Sequence, residues 1–534
     1  MGVTWNYRKE RVGLETSVQS GTLDFPGRYM AAAELHRFVR KRPELAAMET
    51  VRAMKSVLKE GGITRNRQCL ALYREAAQTL RTVILLRPGE SLALQAMSVL
   101  RGTLASISGY AHQAAAEALG ALPLEIEGPG ETNDHAGPPP SVSWAALARR
   151  LSVDETAPGV LLGRSLVTED GAGGLAVVKF ARTEDDAKNL RREVGWMRFL
   201  GGEACSFPMR FDVPVPKSFQ GKAVFLLRDL PCPSPFPRDL RQAGHLAICF
   251  SAHREYFAYP NQPDPAGALP SETFIEVMGR NAWLLGRLTS LGIVHTALIP
   301  LFHNRVQGDR RADRGVYDWS MGGRLDRWLE SCAHPNFSLT GLRDFEHMHA
   351  LKSSGLTLYR HMGAHFLSLL LVAASYFRNR DPARRGFDLE GHPKDCRDLF
   401  DPETLRTAIT KIFLAYYEGF AGEAFPGALP LDPSALAARM IEEMGVDRHM
   451  EEVLRQRDQV PMTDGEFSRF LEECGHPPER AASFIRGEAD IVLRTGPHLG
   501  GFNDVISLPE LIEAAATMSG LCAAGRFEAR ARSG

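Results

Sequence analysis

The chain of 534 residues carries 63 Lys and Arg against 64 Asp and Glu, a formal net charge of −1, so no whole-protein attraction to nucleic acid or to an acidic membrane surface is expected. A chain of this length has room for about two to four domains, each able to bury its own core. Its eight cysteines are scattered without a Cys-x-x-Cys pair, which argues against a zinc site or a disulfide framework and for a reducing compartment.

Met1 to Glu10 lacks an apolar core of signal-peptide length, and Asn6 stands where a myristoylation signal takes Ser or Thr. The longest apolar run, Phe366 to Phe377, falls short of the roughly 20 residues that cross a bilayer. A cytoplasmic protein without membrane insertion is expected, with non-classical secretion left open.

Residues 26–122 read as successive amphipathic helices, Arg28 to Val39, Met48 to Lys59, Arg67 to Leu85, Ser91 to Ile107 and Tyr110 to Leu119. Turn signals at Arg42-Pro43, Gly61-Gly62, Arg87-Pro88-Gly89 and Gly109 part them. Apolar residues recur three and four apart, as in Leu72, Tyr73, Ala76, Leu80, Val83 and Ile84, which gives each helix one buried stripe. The pairing resembles an α-solenoid of the HEAT kind, without a strict repeat. Periodicity leaves open whether it is a docking surface or a cap packed on the next domain.

Residues 127–143 are rich in Gly and Pro and read as a linker. Strands follow at Gly159 to Val167 and Leu175 to Ala181, joined by a turn over Glu169 to Gly174. Thr183 to Leu200 opens with a Thr cap and three acids in its first turn and reads as a helix. Lys222 to Leu230 reads as a buried strand leading into the proline-rich Pro231 to Pro237. Beyond Ser271 helices dominate, with Phe274 to Leu291 and the apolar Leu367 to Phe377 as the long ones. A polar loop over Val306 to Ser338 lies between them, and helices at Leu405 to Tyr417, Pro433 to Met444, Arg448 to Arg455 and Thr463 to Cys474 end the series.

Three positions carry chemistry. Lys179 sits in a buried strand, where a lysine must be paired or lose its charge, and Glu193 falls fourteen residues on, beside the apolar stripe of the next helix. Gly163 punctuates the strand before it, as a turn over a phosphate would. Asp344 precedes Phe345 after an apolar stretch, the placement of a carboxylate that holds Mg²⁺ against nucleotide phosphates. Strand lysine, helix glutamate and Asp-Phe together resemble a protein kinase. His295 to Phe302 can be laid on a kinase catalytic loop with His and Pro in register; Ala297 then stands where the catalytic Asp belongs and Phe302 where the metal-binding Asn belongs, with Asn304 two residues late. An alanine accepts no proton, so phosphorylation of a hydroxyl by the usual route is disfavoured.

The combination resembles the SidJ-like pseudokinases, kinase-fold proteins that bind ATP, adenylylate a glutamate and then attach free glutamate to it. Five positions agree in residue type: Arg164, Lys179, Glu193, Asn336 and Arg324 stand at that family's spacing around the metal Asp, here Asp344. Two depart, with His347 in place of a second acid and His334 in place of a tyrosine. The resemblance implies Mg²⁺ and ATP as cofactors, with Arg164 and Lys179 on phosphates and Glu193 orienting the lysine. It implies metal held by Asp344 with Asn336 or Asn304, and a second nucleotide pocket touched by Arg324 and His295. No IQ-type stretch for calmodulin is present near the carboxy terminus.

The expected fold is α+β: a helical HEAT-like domain over residues 1–126, the linker, a kinase-like bilobal fold with a mostly β N-lobe over 144–232 and a helical C-lobe over 233–425, and a helical extension over 426–534. The expected function is AMP transfer to a glutamate of a protein substrate, either as an end or towards glutamylation. A silent pseudokinase scaffold that binds a partner through its helical domain, or an atypical phosphotransferase, are the alternatives. His347, His349, His361 and His365 read better as core or surface histidines than as a metal site. Arg305 to Arg314, with interspersed Asp, reads better as a solvated loop than as a nucleic-acid patch.

Overall fold

Alternation along Leu175–Phe180 sends Ala176, Val178 and Phe180 to one face of a strand and Val177 and Lys179 to the other. The computed structural model describes residues 2–20, 22–60, 67–106, 110–124, 128–129, 137–156, 159–162, 164–203, 207–228, 245–261, 269–299, 332, 334–351, 356–379, 402–429, 431–440, 463–473 and 509–533. Its central sheet comprises β1 (Ser141–Ser143), β2 (Val160–Leu162), β3 (Ser165–Glu169), β4 (Leu175–Phe180), β5 (Phe225–Arg228) and β6 (His245–Ala252) in the order β1-β5-β6-β4-β3-β2. The β1–β5 edge pair is parallel and every other pair antiparallel, so the sheet is mixed.

Six helices come first: α1 (Gly2–Gln19), α2 (Phe25–Lys41), α3 (Met48–Glu60), α4 (Arg67–Leu86), α5 (Ser91–Ser106) and α6 (Tyr110–Gly120). All but α1 were expected, and their limits agree with the reading to within three residues. One face of the sheet is covered by α7 (Trp144–Leu151), whose Trp144, Leu147 and Leu151 pack on Ala176, Val178 and Phe180. The other is covered by α8 (Glu184–Glu203), through Leu190 and Val194. After the short α9 (Arg254–Phe257), a helical body is built from α10 (Ser271–Ser290), α11 (Leu356–Asn379), α12 (Pro402–Ala421), α13 (433–440) and α15 (Pro509–Ser533), with α14 (Asp464–Glu473) a further helix between the last two in the chain. A separate antiparallel pair, β7 (Ile293–His295) and β8 (Met348–Ala350), packs against α10.

Two features differ from the expectation. Strand β6 pairs with both β4 and β5, so the sheet draws its sixth strand from beyond residue 232, in the segment assigned to the second lobe. Buried over its four middle residues and half-buried at both ends, β6 has none of the in-out alternation that reveals a half-exposed strand. The expected linker likewise ends in β1, and Gly128 within it donates its N–H to the Leu351 carbonyl at 3.0 Å.

One apolar core runs from α1–α6 into the helical body. Helix α15 joins them: it packs on α6, α11 and α12, with His112 bonded to Thr517 and Arg101 paired to Glu528 at 3.0 Å. Small residues permit the approach, since a Cβ on Gly120 would meet the Tyr359 ring at 2.1 Å. The amino-terminal helices therefore pack on the helical body through α6 and α5. Among the described residues no helix is long and apolar enough to cross a membrane.

Candidate functional site

Lys179 lies between Ser165 and Ile248 in the sheet register and points, by the alternation of β4, toward α8. Its Nζ donates to Glu193 Oε1 at 2.6 Å and to Asp344 Oδ1 at 3.0 Å. The glutamate is fully buried and the Asp344 side chain is 35% exposed, so the triad reaches from the core to solvent through the aspartate. Burial by itself would lower the lysine pKa, but the two carboxylates outweigh it and push it above the ordinary value. At Asp344 burial would raise the pKa, and Lys179, Arg343 and His347 instead hold it well below the usual carboxylate range. Both groups are charged at neutral pH.

The turn that carries Asp344 is tightly specified. Phe337 and Leu342 bridge across a reversal in which Ser338 donates its N–H to the Gly341 carbonyl at 2.7 Å. Gly341 has φ of 150°, and a Cβ there would meet Phe211 at 2.4 Å, so only glycine fits. The reversal brings the Arg343 N–H onto the Asn336 carbonyl at 2.9 Å, which sets Asn336 across the hairpin from the Asp344 segment. Asp344 itself adopts the left-handed conformation, φ 50° and ψ 56°, a strain of about 1–2 kcal/mol that the surrounding bonds must hold. Phe345 is fully buried, and Phe345–His347 forms a single 3₁₀ turn against α8.

Arg164 is also brought here. Its carbonyl accepts the Phe180 N–H at 2.9 Å, fixing it beside Lys179. Its guanidinium pairs with Asp186 at 3.2 Å and with the buried Glu346. Glu346 lies 3.3 Å from His347 Nε2, and its carbonyl accepts from Arg192 at 3.4 Å. The acid near Asp344 is thus Glu346, two residues on, rather than a group at position 347. Nothing in the sequence pattern marked it, because its role comes from Arg164 in a distant segment. Arg343, also not foreseen, stacks 4.6 Å over the Tyr259 ring.

His295 is buried, at 2% exposed. A carbonyl only accepts, so its Nε2–H donates to the Arg343 carbonyl at 2.9 Å, and its Nδ1 accepts from the Ala297 N–H at 3.3 Å. Ala297 is fully buried, with its carbonyl accepting from Asn336 Nδ2 at 2.6 Å. Lys179, Glu193, Asp344 and Arg164 meet at one place, with Asn336 across the hairpin from Asp344. Gly163, Asn304, Phe302 and Arg324 lie outside the described residues, as do Pro231 to Pro237, Arg305 to Arg314 and the helix read over Arg448 to Arg455.

Of the clustered histidines, His347, His361 and His365 are buried and His349 is half-buried. Burial lowers the pKa of His349 and His361 to about 4 and that of His365 to about 3, and among the described residues no group of three or more His, Cys, Asp or Glu could hold a metal.

The arrangement offers two cations, Arg164 and Lys179, beside a carboxylate, Asp344, that reaches solvent: donors for phosphate oxygens next to a hard ligand for a divalent cation. Compared with known proteins, the chain matches no family model and no curated protein.

Proposed function

We propose that the chain is a pseudokinase of kinase-like bilobal architecture that binds ATP with Mg²⁺ at the Lys179 cleft and transfers AMP to a glutamate of a protein substrate, as the SidJ-like resemblance implies. The observation that carries this reading is the simultaneous bonding of Lys179 to Glu193 and Asp344. The strand order supports it too, with the lysine strand interior to the sheet and the glutamate on the helix packed against it.

Arg164 and Lys179 would hold phosphate oxygens, Glu193 keeps Lys179 aimed, and Asp344 with Asn336 would hold the metal. The exposed portion of Asp344, an ionised carboxylate, offers the hard oxygen a dication takes. When bound, Mg²⁺ would neutralise phosphate charge. The acceptor glutamate oxygen forms a bond to the α-phosphorus, the α–β phosphoanhydride bond breaks, and pyrophosphate leaves with the bonding pair. A glutamate has a pKa near ~4.3 and is already ionised at neutral pH, so this nucleophile has no proton to give up. A buried Ala297, whose backbone N–H and C=O are both engaged, is compatible with such an acceptor and incompatible with activating a hydroxyl.

Incubation with α-labelled and with γ-labelled ATP tests the reading. Protein-bound label from the α position alone is expected; label from the γ position alone would overturn it in favour of an atypical phosphotransferase. The alanine at 297 also favours a second reading, a silent scaffold. A ligand that binds only the folded state raises its apparent stability, so an unchanged melting temperature at millimolar Mg-ATP would favour that reading.

A further inference from the structure

A line of buried polar side chains crosses the apolar body and ends on the Asp344 turn, and the directions of its bonds at His295 and His365 follow from the carbonyls they meet. The His295 carbonyl can only accept, so His365 on α11 donates to it from Nε2 at 3.0 Å. That leaves His365 Nδ1 as an acceptor, and the Tyr416 hydroxyl on α12 donates to it at 2.9 Å. Thr289 on α10 lies 3.1 Å from the same hydroxyl. At the other end, His295 Nε2 donates to the Arg343 carbonyl at 2.9 Å, one peptide before Asp344. Thr296, next to His295, donates from both N–H and hydroxyl to the His347 carbonyl at 3.0 Å. The left-handed Asp344 is therefore bracketed on both sides by residues 295–296, whose own backbone is held by His365. Thr289, His295, His365 and Tyr416 are each at most 2% exposed.

We infer that His365, held by Tyr416, is a positioning residue that fixes the His295–Thr296 segment and through it the strained Asp344 turn, coupling the centre of the helical body to the lysine–aspartate cleft. A merely space-filling His365 would be replaceable by an apolar ring. A positioning His365 is not, because an apolar ring leaves the His295 carbonyl and the Tyr416 hydroxyl buried without this partner. Glutamine, whose amide nitrogen reaches about as far as Nε2, restores the donor to the His295 carbonyl and offers its oxygen to Tyr416.

For the cleft, the consequence rests on the nucleotide reading: a loosened Asp344 should weaken Mg²⁺-dependent binding of ATP while sparing the Lys179–Glu193 grip. The test itself needs no ligand. Amide hydrogen exchange is followed by mass spectrometry on the full chain for wild type, His365→Phe, His365→Gln and Tyr416→Phe. His365→Phe should speed exchange in peptides covering 293–299 and 342–350 about tenfold or more, with α2 to α4 unchanged. His365→Gln should return it to within about threefold of wild type, and Tyr416→Phe should fall between. Unchanged exchange in 342–350 for a folded His365→Phe, or a His365→Gln as fast as His365→Phe, would overturn the inference. If His365→Phe does not fold, Tyr416→Phe decides: it keeps the ring packing and removes one hydroxyl, and wild-type exchange in 342–350 would then overturn the inference. A wild-type protein indifferent to Mg-ATP would refute the nucleotide reading and leave this one standing.

Discussion

Lys179 and His361 are both nearly inaccessible, at 8% and 2% exposed, yet the first is held charged and the second neutral. Burial pushes each toward its neutral form. Around Lys179 two carboxylates arrive from separate elements, Glu193 from α8 and Asp344 from the turn before β8, and their attraction exceeds the desolvation cost. Around His361 no carboxylate is among the groups that shift it; its charged neighbour would be His349, another cation. A buried titratable group marks a site only when the fold spends separate elements on keeping it ionised. By that measure Lys179 qualifies and His361 does not.

The sharpest way to break this contrast is to remove half of the ion pair. Lys179→Met would leave fully buried Glu193 facing no cation from β4, and such uncompensated charges cost about 3–5 kcal/mol. The double variant Lys179→Met/Glu193→Met should cost less than the sum of its singles, a coupling of roughly 1–3 kcal/mol in urea unfolding at pH 7. A Lys179→Met loss of under about 0.5 kcal/mol, the size of an ordinary surface change, would show that the pair anchors nothing.

The histidine half is tested by pH. His361 has a folded pKa of about 4 against an ordinary value of 6.5. Its contribution is therefore fully present above pH 6.5 and lost as pH falls toward 4, because the unfolded chain takes up the proton first. Between pH 7 and pH 5 that loss comes to about 2 kcal/mol by linkage. His361→Leu should lose about 2 kcal/mol less than wild type over this interval, while at pH 7 it stays close to neutral, since among the described residues His361 Nε2 has no hydrogen-bond partner. Parallel acid limbs for the two proteins would place a counter-charge near His361 and remove the contrast.

What the sequence exposed of this site was its short-range part. Lys179 and Glu193 were legible because strand alternation and helix periodicity fix which way each points before any tertiary contact forms. Asp344 was legible as an acid between apolar neighbours, but its left-handed backbone was not, since that conformation is imposed by the Gly341 reversal and the His295 bond to Arg343. Glu346 and Arg343 are not marked by the sequence pattern, because their partners come from segments distant in the chain. In the fold, helices α2 to α6 were read to within three residues at each end. Strand β6 was lost for the opposite reason: burial of its middle on both faces erased the period that identifies strands.

Glu346 sharpens the cleft itself. It occupies Arg164 together with Asp186, so an arriving phosphate must compete with both. Glu346→Gln removes one negative charge beside the proposed polyanion site. Stability should fall by about 1 kcal/mol, as expected for weakening one charge-assisted hydrogen bond. Mg-ATP affinity by calorimetry should rise about three- to tenfold. Weaker binding instead would make Glu346 a metal ligand rather than a competitor for Arg164.

The smallest expected effect lies at the start of α8. Thr183 Oγ1 accepts the Asp186 N–H at 3.1 Å, and the Asp186 carboxylate accepts the Thr183 N–H at 3.1 Å, a reciprocal cap with Asp in the place of the usual Glu. Asp186 also holds Arg164 at 3.2 Å, so the cap and the cleft share one carboxylate. Thr183→Ala removes the hydroxyl half of the cap and should cost about 1 kcal/mol in urea unfolding. Glu193 lies ten residues farther along the helix, beyond the first turn where cap effects fade. The stabilisation by Mg-ATP should therefore be the same in Thr183→Ala and wild type. If that increment disappears, Asp186 is aimed by Thr183 as well as by Arg164, and the cleft extends to the helix end rather than stopping at the lysine pair.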